Sequence, residues 1–501
     1  MKKLVSILCA AALVLSLAAC GAESQSGGGE AKAAVYSLEN DTTFTFSDSG
    51  ITAQDGSYTG YEIDGTTLTI DGAGAYVVTG TCADGSIQIK KGTTGVTLAL
   101  NGLALTSADT APILCGKSTE VVIVAADGST NSLTDAAENN DDSYPDNTEA
   151  ENAVIKCKDG AQVTLCGGGA LTINANGKNG IKSGASTTEE GEASLTIREL
   201  TLTINAPVND AINAQQLLNV ESGTLTIFAA DDAIHSDLVL NIGGDDTDGP
   251  TIAITECYEG IEAAELNVLS GNIDILSSDD CLNAANSDLS GYAFSMNISG
   301  GVITACSSSG DGFDSNGDLT ISGGTVTVWT ANAADNQPLD ADGAITISGG
   351  TVLAAGGSAG MGMKLTAEQP CVTFGSTGGM GGSVGIAKDA AVTVTGSDGS
   401  TVYSGTALCN AGFVFFSSPE LTADGSYTLT AGDTALTATA QTGSISSGGM
   451  GGPGNGGQRP GDRDGGQPPQ LPDGQQAPDF SGGGQPPERP SSQQSGTAQN
   501  S

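Results

Sequence analysis

The 501-residue chain carries 58 acidic residues against 16 basic ones, a formal net charge of −42. Such a balance argues against nucleic-acid binding, which needs Lys and Arg to neutralise phosphates. Aromatic residues make up only 4%, with Trp329 as the single tryptophan, so an aromatic platform for neutral sugars is not expected.

At the N-terminus, Lys2 and Lys3 precede an apolar stretch from Leu4 to Leu17, followed by Ala18-Ala19-Cys20-Gly21. A charged start, a short apolar run and small residues before a cleavage point predict a secretory signal. Leu17-Ala18-Ala19-Cys20 is similar to a bacterial lipobox. It implies cleavage before Cys20, lipidation of its sulfur, and a lipoprotein held at the extracellular face of the cytoplasmic membrane. Residues 1–20 are therefore read as the signal, and residues 21–34, with Gly27-Gly28-Gly29, as a flexible tether.

A single β domain is expected over residues 35–445. Strands at Phe44–Phe46, Leu68–Ile70, Tyr76–Thr79, Ile87–Ile89 and Val96–Leu100 form its opening cap and first repeats. A stack of repeats needs covered ends, because its last member otherwise exposes an apolar section and a pairing edge. Further repeats run at about Ala111–Val124 and Ala153–Leu165. Between them lies an acidic excursion over residues 134–152, read as a solvated loop or a lateral calcium or ligand lip.

From Asn179 the text repeats one phrase, an acid or amide two residues before a bulky apolar and another polar residue directly after it. It occurs as Asn179-Gly180-Ile181-Lys182, Asp210-Ala211-Ile212-Asn213, Asp232-Ala233-Ile234-His235, Glu259-Gly260-Ile261-Glu262, Asp280-Cys281-Leu282-Asn283, Asp311-Gly312-Phe313-Asp314 and Gln337-Pro338-Leu339-Asp340. Successive apolar centres are 21 residues apart (Ile261 to Leu282) to 31 apart (Ile181 to Ile212), a period typical of solenoids. Between them lie alternating runs such as Leu202-Thr203-Ile204, Leu225-Thr226-Ile227 and Ile345-Thr346-Ile347, the signature of half-buried strands. Corners such as Ser322-Gly323-Gly324-Thr325 separate them.

Short strands, frequent corners and this period predict an all-β, single-stranded parallel β-helix. Stacking about 4.8 Å apart would align the polar positions into columns. Strand-like runs at Ala391–Thr395, Gly412–Ser417 and Ser426–Thr430 predict a small C-terminal β cap, and the Gly/Pro/Gln-rich residues 446–501 read as a disordered tail. Cysteines beyond the leader are scattered, with no CxxC pair, and are expected to be mainly buried thiols.

The opening Asp41–Ile51 and Thr66–Gly80, the segment Val96–Gly102, Asp127-Gly128-Ser129-Thr130-Asn131-Ser132-Leu133-Thr134-Asp135, and Phe413-Val414-Phe415-Phe416-Ser417-Ser418-Pro419 occur in one order. Together they resemble a bacterial cell-surface carbohydrate-binding β-helix family, over about Tyr36 to Ala440. The resemblance implies a right-handed, pectate-lyase-like parallel β-helix that binds calcium and acidic polysaccharide such as polygalacturonate or pectin. It also implies a binding protein rather than a lyase.

Calcium takes six to eight hard oxygens, and carboxylates on adjacent rungs could share one ion. The expected ligands are Asp231, Asp232, Glu259, Glu262, Asp279, Asp280, Asp311, Asp314, Asp340 and Asp342. Their alternative role is that of solvated corner residues bonding their own turns.

A lyase needs a strong base beside calcium, for which Lys178, Lys182 and Arg198 are the nearest choices. A hydrolase would need paired acids such as Asp231-Asp232 or Asp279-Asp280, but Gly-His-Gly and Arg-Ile-Lys companions are absent from the sequence. His235, the one histidine, reads as a stacked polar residue. The expectation is thus a monomeric, non-catalytic calcium-dependent binder, ahead of a lyase or hydrolase, and of a structural or adhesive surface protein.

Overall fold

The computed structural model describes residues 41–54, 56–244, 248–331, 336–357, 363–375 and 385–446. Contacts divide the chain into Met1–Gly449 and Met450–Ser501, and every described residue falls in the first unit. The signal with Cys20, the tether at 21–34 and the tail beyond Ser446 lie outside the described residues.

Among the described residues every regular element is a strand, and 34 of the strands join one large, mostly parallel sheet. Between the two ends, strands pair with the strand one repeat before and one repeat after, so three series of strands run through the described residues. Asn179–Ser183 pairs with Ile212–Ala214, Ser194–Ile197 with Leu217–Val220, and Thr201–Ala206 with Thr224–Ala229, all parallel. Strand order along the chain visits the three series in turn. Period-two alternation explains the choice of strand, since Leu202, Ile204, Leu225 and Ile227 are fully buried while Thr203 and Thr226 face outward.

The apolar centres of the repeated phrase form one unbroken column. Register pairs Ile181 with Ile212, then Ile234, Ile261, Leu282 and Phe313, and an isolated parallel bridge adds Leu339. The column continues upstream through Ile155, Ile113, Ile87 and Leu68. All are fully buried, and each contributes about 1.5–3 kcal/mol relative to exposure. These upstream rungs lack the flanking acids, which is why the phrase begins only at Asn179.

The small residue of the phrase is required by close backbone approach. A Cβ on Gly260 would sit 2.2 Å from the carbonyl oxygen of Cys281, its equivalent in the next repeat, and one on Gly180 would sit 2.4 Å from that of Ala211.

On the second series an asparagine ladder adds to the backbone bonds. The Nδ2 of Asn241 donates to Asn219 Oδ1 at 2.9 Å, Asn267 to Asn241 at 3.0 Å, and Asn297 to Asn267 at 3.1 Å.

Both edges of the stack are closed. At the start, Thr42–Ser47 folds back on Gly50–Gln54 as an antiparallel hairpin. At the far end the buried aromatic strand Phe413–Ser417 runs antiparallel to Thr351–Gly356 and Lys364–Gly375. A separate four-stranded antiparallel sheet, Ala391–Gly396, Thr401–Thr406, Ser426–Ala431 and Thr434–Thr439, packs its apolar face with Trp329 and Phe416. A further strand, Gln441–Ser446, pairs with Lys364–Gly375, so ordered chain reaches the first residue of the expected tail.

The acidic excursion is rooted rather than free. Asp135 is buried, its Oδ1 accepts the backbone N–H of Asn176 (2.7 Å) and Gly177 (3.1 Å), and its Oδ2 accepts Asn139 Nδ2. The outer residues Asp141, Asp142, Asp146 and Glu149 are exposed. The cysteines of the described region are all free thiols, most of them buried.

Candidate functional site

Two polar columns flank the apolar one. The column directly after it runs Lys156, Lys182, Asn213, His235, Glu262, Asn283 and Asp314 by strand register, with Asp340 next after the Phe313–Leu339 bridge. The column two residues before is aligned by the backbone itself. N–H groups of Gly180, Ala211, Ala233, Gly260, Cys281 and Gly312 donate to carbonyls of Asp210, Asp232, Glu259, Asp280, Asp311 and Gln337 at 2.8–3.3 Å. Main-chain bonds therefore hold like charges one rung apart, an arrangement that repels without a compensating group.

In the upper part of the columns, His235 lies between carboxylates. Its Nδ1 is 2.9 Å from Asp232 Oδ2 and 4.0 Å from Glu262 Oε2, and its Nε2 is 3.0 Å from Asp237 Oδ1. Burial opposes the imidazole's charge, but hydrogen bonds to Asp232 and Asp237 outweigh it and hold the pKa well above the ordinary value. Burial pushes Asp232 up to about 7 and, reinforced by hydrogen bonding with Glu259, Glu262 up to about 10. Asp232 Oδ1 and Glu262 Oε2 are buried without a hydrogen-bond partner. Asp210 Oδ2 accepts Asn213 Nδ2 at 2.6 Å, and carboxylate oxygens of Asp210, Asp231 and Asp232 converge within 4.8 Å.

Lower down, the ligand set contains oxygen alone. Carboxylate oxygens of Asp311, Asp314 and Asp340 lie within 4.8 Å of one another. Asp280 Oδ1 accepts the N–H of Asp311 at 2.7 Å, and Asp311 Oδ1 accepts that of Gln337 at 2.6 Å, which orients successive carboxylates. Burial is the main cause that lifts Asp280 to about 8, Asp311 to about 7 and Asp314 to about 6, with neighbouring aspartates adding to it. Two amide oxygens border the trio by register, Asn283 Oδ1 and Gln337 Oε1, and both are buried and unpartnered. Three carboxylates with two uncommitted amide oxygens suit a hard cation.

Upstream the sign of the column reverses. Lys156 and Lys182 are register partners. Among the described residues neither forms an ion pair, whereas Lys91, Lys117, Lys158 and Lys178 pair with Glu190, Asp159, Glu151 and Asp142. Burial, then repulsion from Lys182, lowers Lys156 to about 8. Burial likewise lowers Lys182.

Of the expected ligands, the structure gathers Asp232 with Glu262, Asp231 with Asp232, and Asp311 with Asp314 and Asp340. Glu259 Oε2 accepts Asn283 Nδ2 at 3.1 Å, and Asp280 anchors Asp311. Asp279 and Asp342 join none of these groups, and Asp342 is exposed at the rim. Arg198 follows a strand of a different series and stands off the column. Sequence reasoning omitted Asp210, Asp237 and Lys156 from the site, and treated His235, Asn283 and Gln337 as plain column members. Lys156 was detectable only by extending the register to the rung before Asn179.

Fold and site together describe an all-β protein of stacked parallel strands with oxygen-rich columns on one face. The carbohydrate-binding domain-containing protein family matches residues 64–360, more than half of the chain, and the chain belongs to that family. A carbohydrate-binding domain-containing protein of Acetivibrio thermocellus is 38% identical over 109 residues, 22% of this chain and 37% of that protein. The chain thus spans well under half the length of that curated relative. Among solved structures it is similar to a polysaccharide lyase-like protein from C. thermocellum, solved as a gadolinium derivative. That likeness has 21% identity and a TM-score of 0.35 over 62% of this chain and 93% of the other.

Proposed function

We propose that this is a lipid-anchored cell-surface protein whose repeats form a right-handed, pectate-lyase-like parallel β-helix, and that it binds acidic polysaccharide of the polygalacturonate type through calcium. The observation that carries the reading is the Asp311–Asp314–Asp340 trio bordered by the unpartnered oxygens of Asn283 and Gln337. These residues would hold the ion, and calcium would supply positive charge able to bridge protein carboxylates and uronate carboxylates. Family membership supports carbohydrate as the ligand class. Its acidic character is supported by Lys156 and Lys182 in the same column, because a polyuronate lying along that face offers carboxylates to both ends.

Spacing supports a non-catalytic role. Five rungs separate Lys182 from Asp314 in the register, about 24 Å at the usual strand separation. A lysine base at that distance cannot reach a sugar held by a cation at Asp314. The N-terminal lipobox supports the anchor and the surface location.

Incubating the purified protein with polygalacturonate, with and without calcium, tests this reading. Retention of the glycan that chelator abolishes, with no unsaturated product and no new reducing ends, is expected. Retention untouched by chelator overturns the calcium bridge, and an ultraviolet-absorbing product identifies a lyase.

A further inference from the structure

The upper cluster differs chemically from the all-oxygen trio, because one of its converging atoms is a nitrogen. We propose that Asp232, His235 and Glu262 form a second metal site, selective for a zinc-class divalent transition ion over calcium. Calcium takes oxygen ligands, whereas imidazole favours zinc, nickel and related ions.

Four observations converge on this site. The ligand atoms of the three residues lie within 4.8 Å of one another. The distances from His235 Nδ1, 2.9 Å to Asp232 Oδ2 and 4.0 Å to Glu262 Oε2, do not exceed about 4.0–4.4 Å, twice a zinc–ligand bond. An ion shared by His235 with either carboxylate is thus within bonding reach, and the third pair of ligand atoms also lies within 4.8 Å. Asp232 and Glu262 are only 5% and 6% exposed, and each keeps one carboxylate oxygen, Oδ1 and Oε2, without a hydrogen-bond partner. Leaving such oxygens buried and unpaired is costly, and a cation in the cluster would relieve it at Glu262 Oε2, the oxygen 4.0 Å from His235 Nδ1. Finally, Asp237 Oδ1 stands 3.0 Å from His235 Nε2. An Nε2–H donating to that carboxylate leaves the Nδ1 lone pair directed at the cluster, the outer-shell arrangement common to metal-ligating histidines.

Binding is an exchange of ions. The metal takes the place of the protons on Nδ1 and on the Glu262 carboxyl, which are released to solvent, while Nε2–H stays bonded to Asp237. The site stands apart from the calcium reading, since His235 does not border Asp311, Asp314 or Asp340, and either site can fail without the other.

Because His235 is the only histidine in the chain, its ring nitrogens can be followed without assignment in untagged, full-length protein labelled with 15N-histidine. After chelator treatment and with calcium in excess, one equivalent of zinc is expected to move the Nδ1 resonance completely, while calcium alone leaves it in place. Equilibrium dialysis of His235→Asn and Glu262→Gln should show zinc binding at least tenfold weaker, with calcium uptake retained in His235→Asn. An imidazole signal unmoved by zinc, or moved equally by calcium, overturns the proposal. So does a folded His235→Asn protein that holds zinc as the wild type does.

Discussion

Lys156 and Lys182 face each other in register on adjacent parallel strands, half-buried, and neither is ion-paired to a described residue. Like charges directly opposite on a sheet cost about 0.2–1 kcal/mol. Replacing Lys156 by Met keeps the aliphatic stem and removes the repulsion, so the K156M protein should melt slightly higher at neutral pH. The gain has a defined pH window. Lys156 is depressed to about 8 from 10.5, so between those values the unfolded chain binds more protons and native stability rises with pH. The advantage of K156M should therefore be full below about pH 8 and vanish above about pH 10.5. If these lysines meet uronate carboxylates, the same variant loses polygalacturonate retention, a combination that a purely structural lysine would not give.

Stability of the metal-free protein should fall as pH rises from about 4 to 8. Asp280, Asp311 and Asp314 are held at about 8, 7 and 6 in the folded state, above their unfolded value of about 3.9. Within that window the native state binds more protons than the unfolded one, so each unit of pH costs stability. Calcium competes with those protons, and its addition should raise the melting temperature by more at pH 8 than at pH 5. Equal shifts at both values would count against ligation by these carboxylates.

Removing the trio's central carboxylate tests the same site by mutation. Asp314→Asn retains size and hydrogen-bonding capacity but removes one ligand charge. Calcium affinity measured by titration calorimetry should drop at least tenfold, while the metal-free protein becomes no less stable, because a half-buried repulsive charge is gone.

The apolar column should be the least tolerant part of the fold. Ile261 is fully buried, and Ile261→Ala should cost about 2–5 kcal/mol through lost transfer energy and an unfilled cavity. Leu276, 52% exposed on a neighbouring strand, provides the control, and Leu276→Ala should stay within about 0.5 kcal/mol. Chemical denaturation followed by circular dichroism measures both.

Asn241 joins two rungs through its side chain, donating to Asn219 and accepting from Asn267. Asn241→Ala breaks both bonds and should cost about 1–3 kcal/mol, whereas Asn297→Ala removes one bond between rungs, to Asn267, and a long 3.4 Å contact with Ser295 on its own strand, and should cost less. Hydrogen exchange of the adjacent amides would localise the loss.

Local pattern carried much of the architecture. Alternation in Leu225-Thr226-Ile227 specifies a strand with one buried face, and the Gly, Ala, Cys or Pro beside each apolar centre reports a crowded backbone before any coordinates are drawn. From those signals the all-β class, the stacked repeats and both acidic columns could be read. The first repeats were harder, because Leu68, Ile87 and Ile113 belong to the same apolar column but stand beside Thr69, Gln88 and Leu114 instead of acids.

By itself, then, the sequence determined which residues share a column, because a parallel register maps equal positions of successive repeats onto one line. Only the tertiary structure decided how each column divides. Asp237 reaches His235 from within the same strand, Ile234–Ile242, where the register shifts between Ser236 and Val239, and orphaned oxygens arise at Asp232, Glu262, Asn283 and Gln337 but not at Asp210. Those differences depend on burial and on distances of a few tenths of an ångström between rungs, which hydrogen-bonding and electrostatic energies follow steeply and a one-letter pattern does not encode.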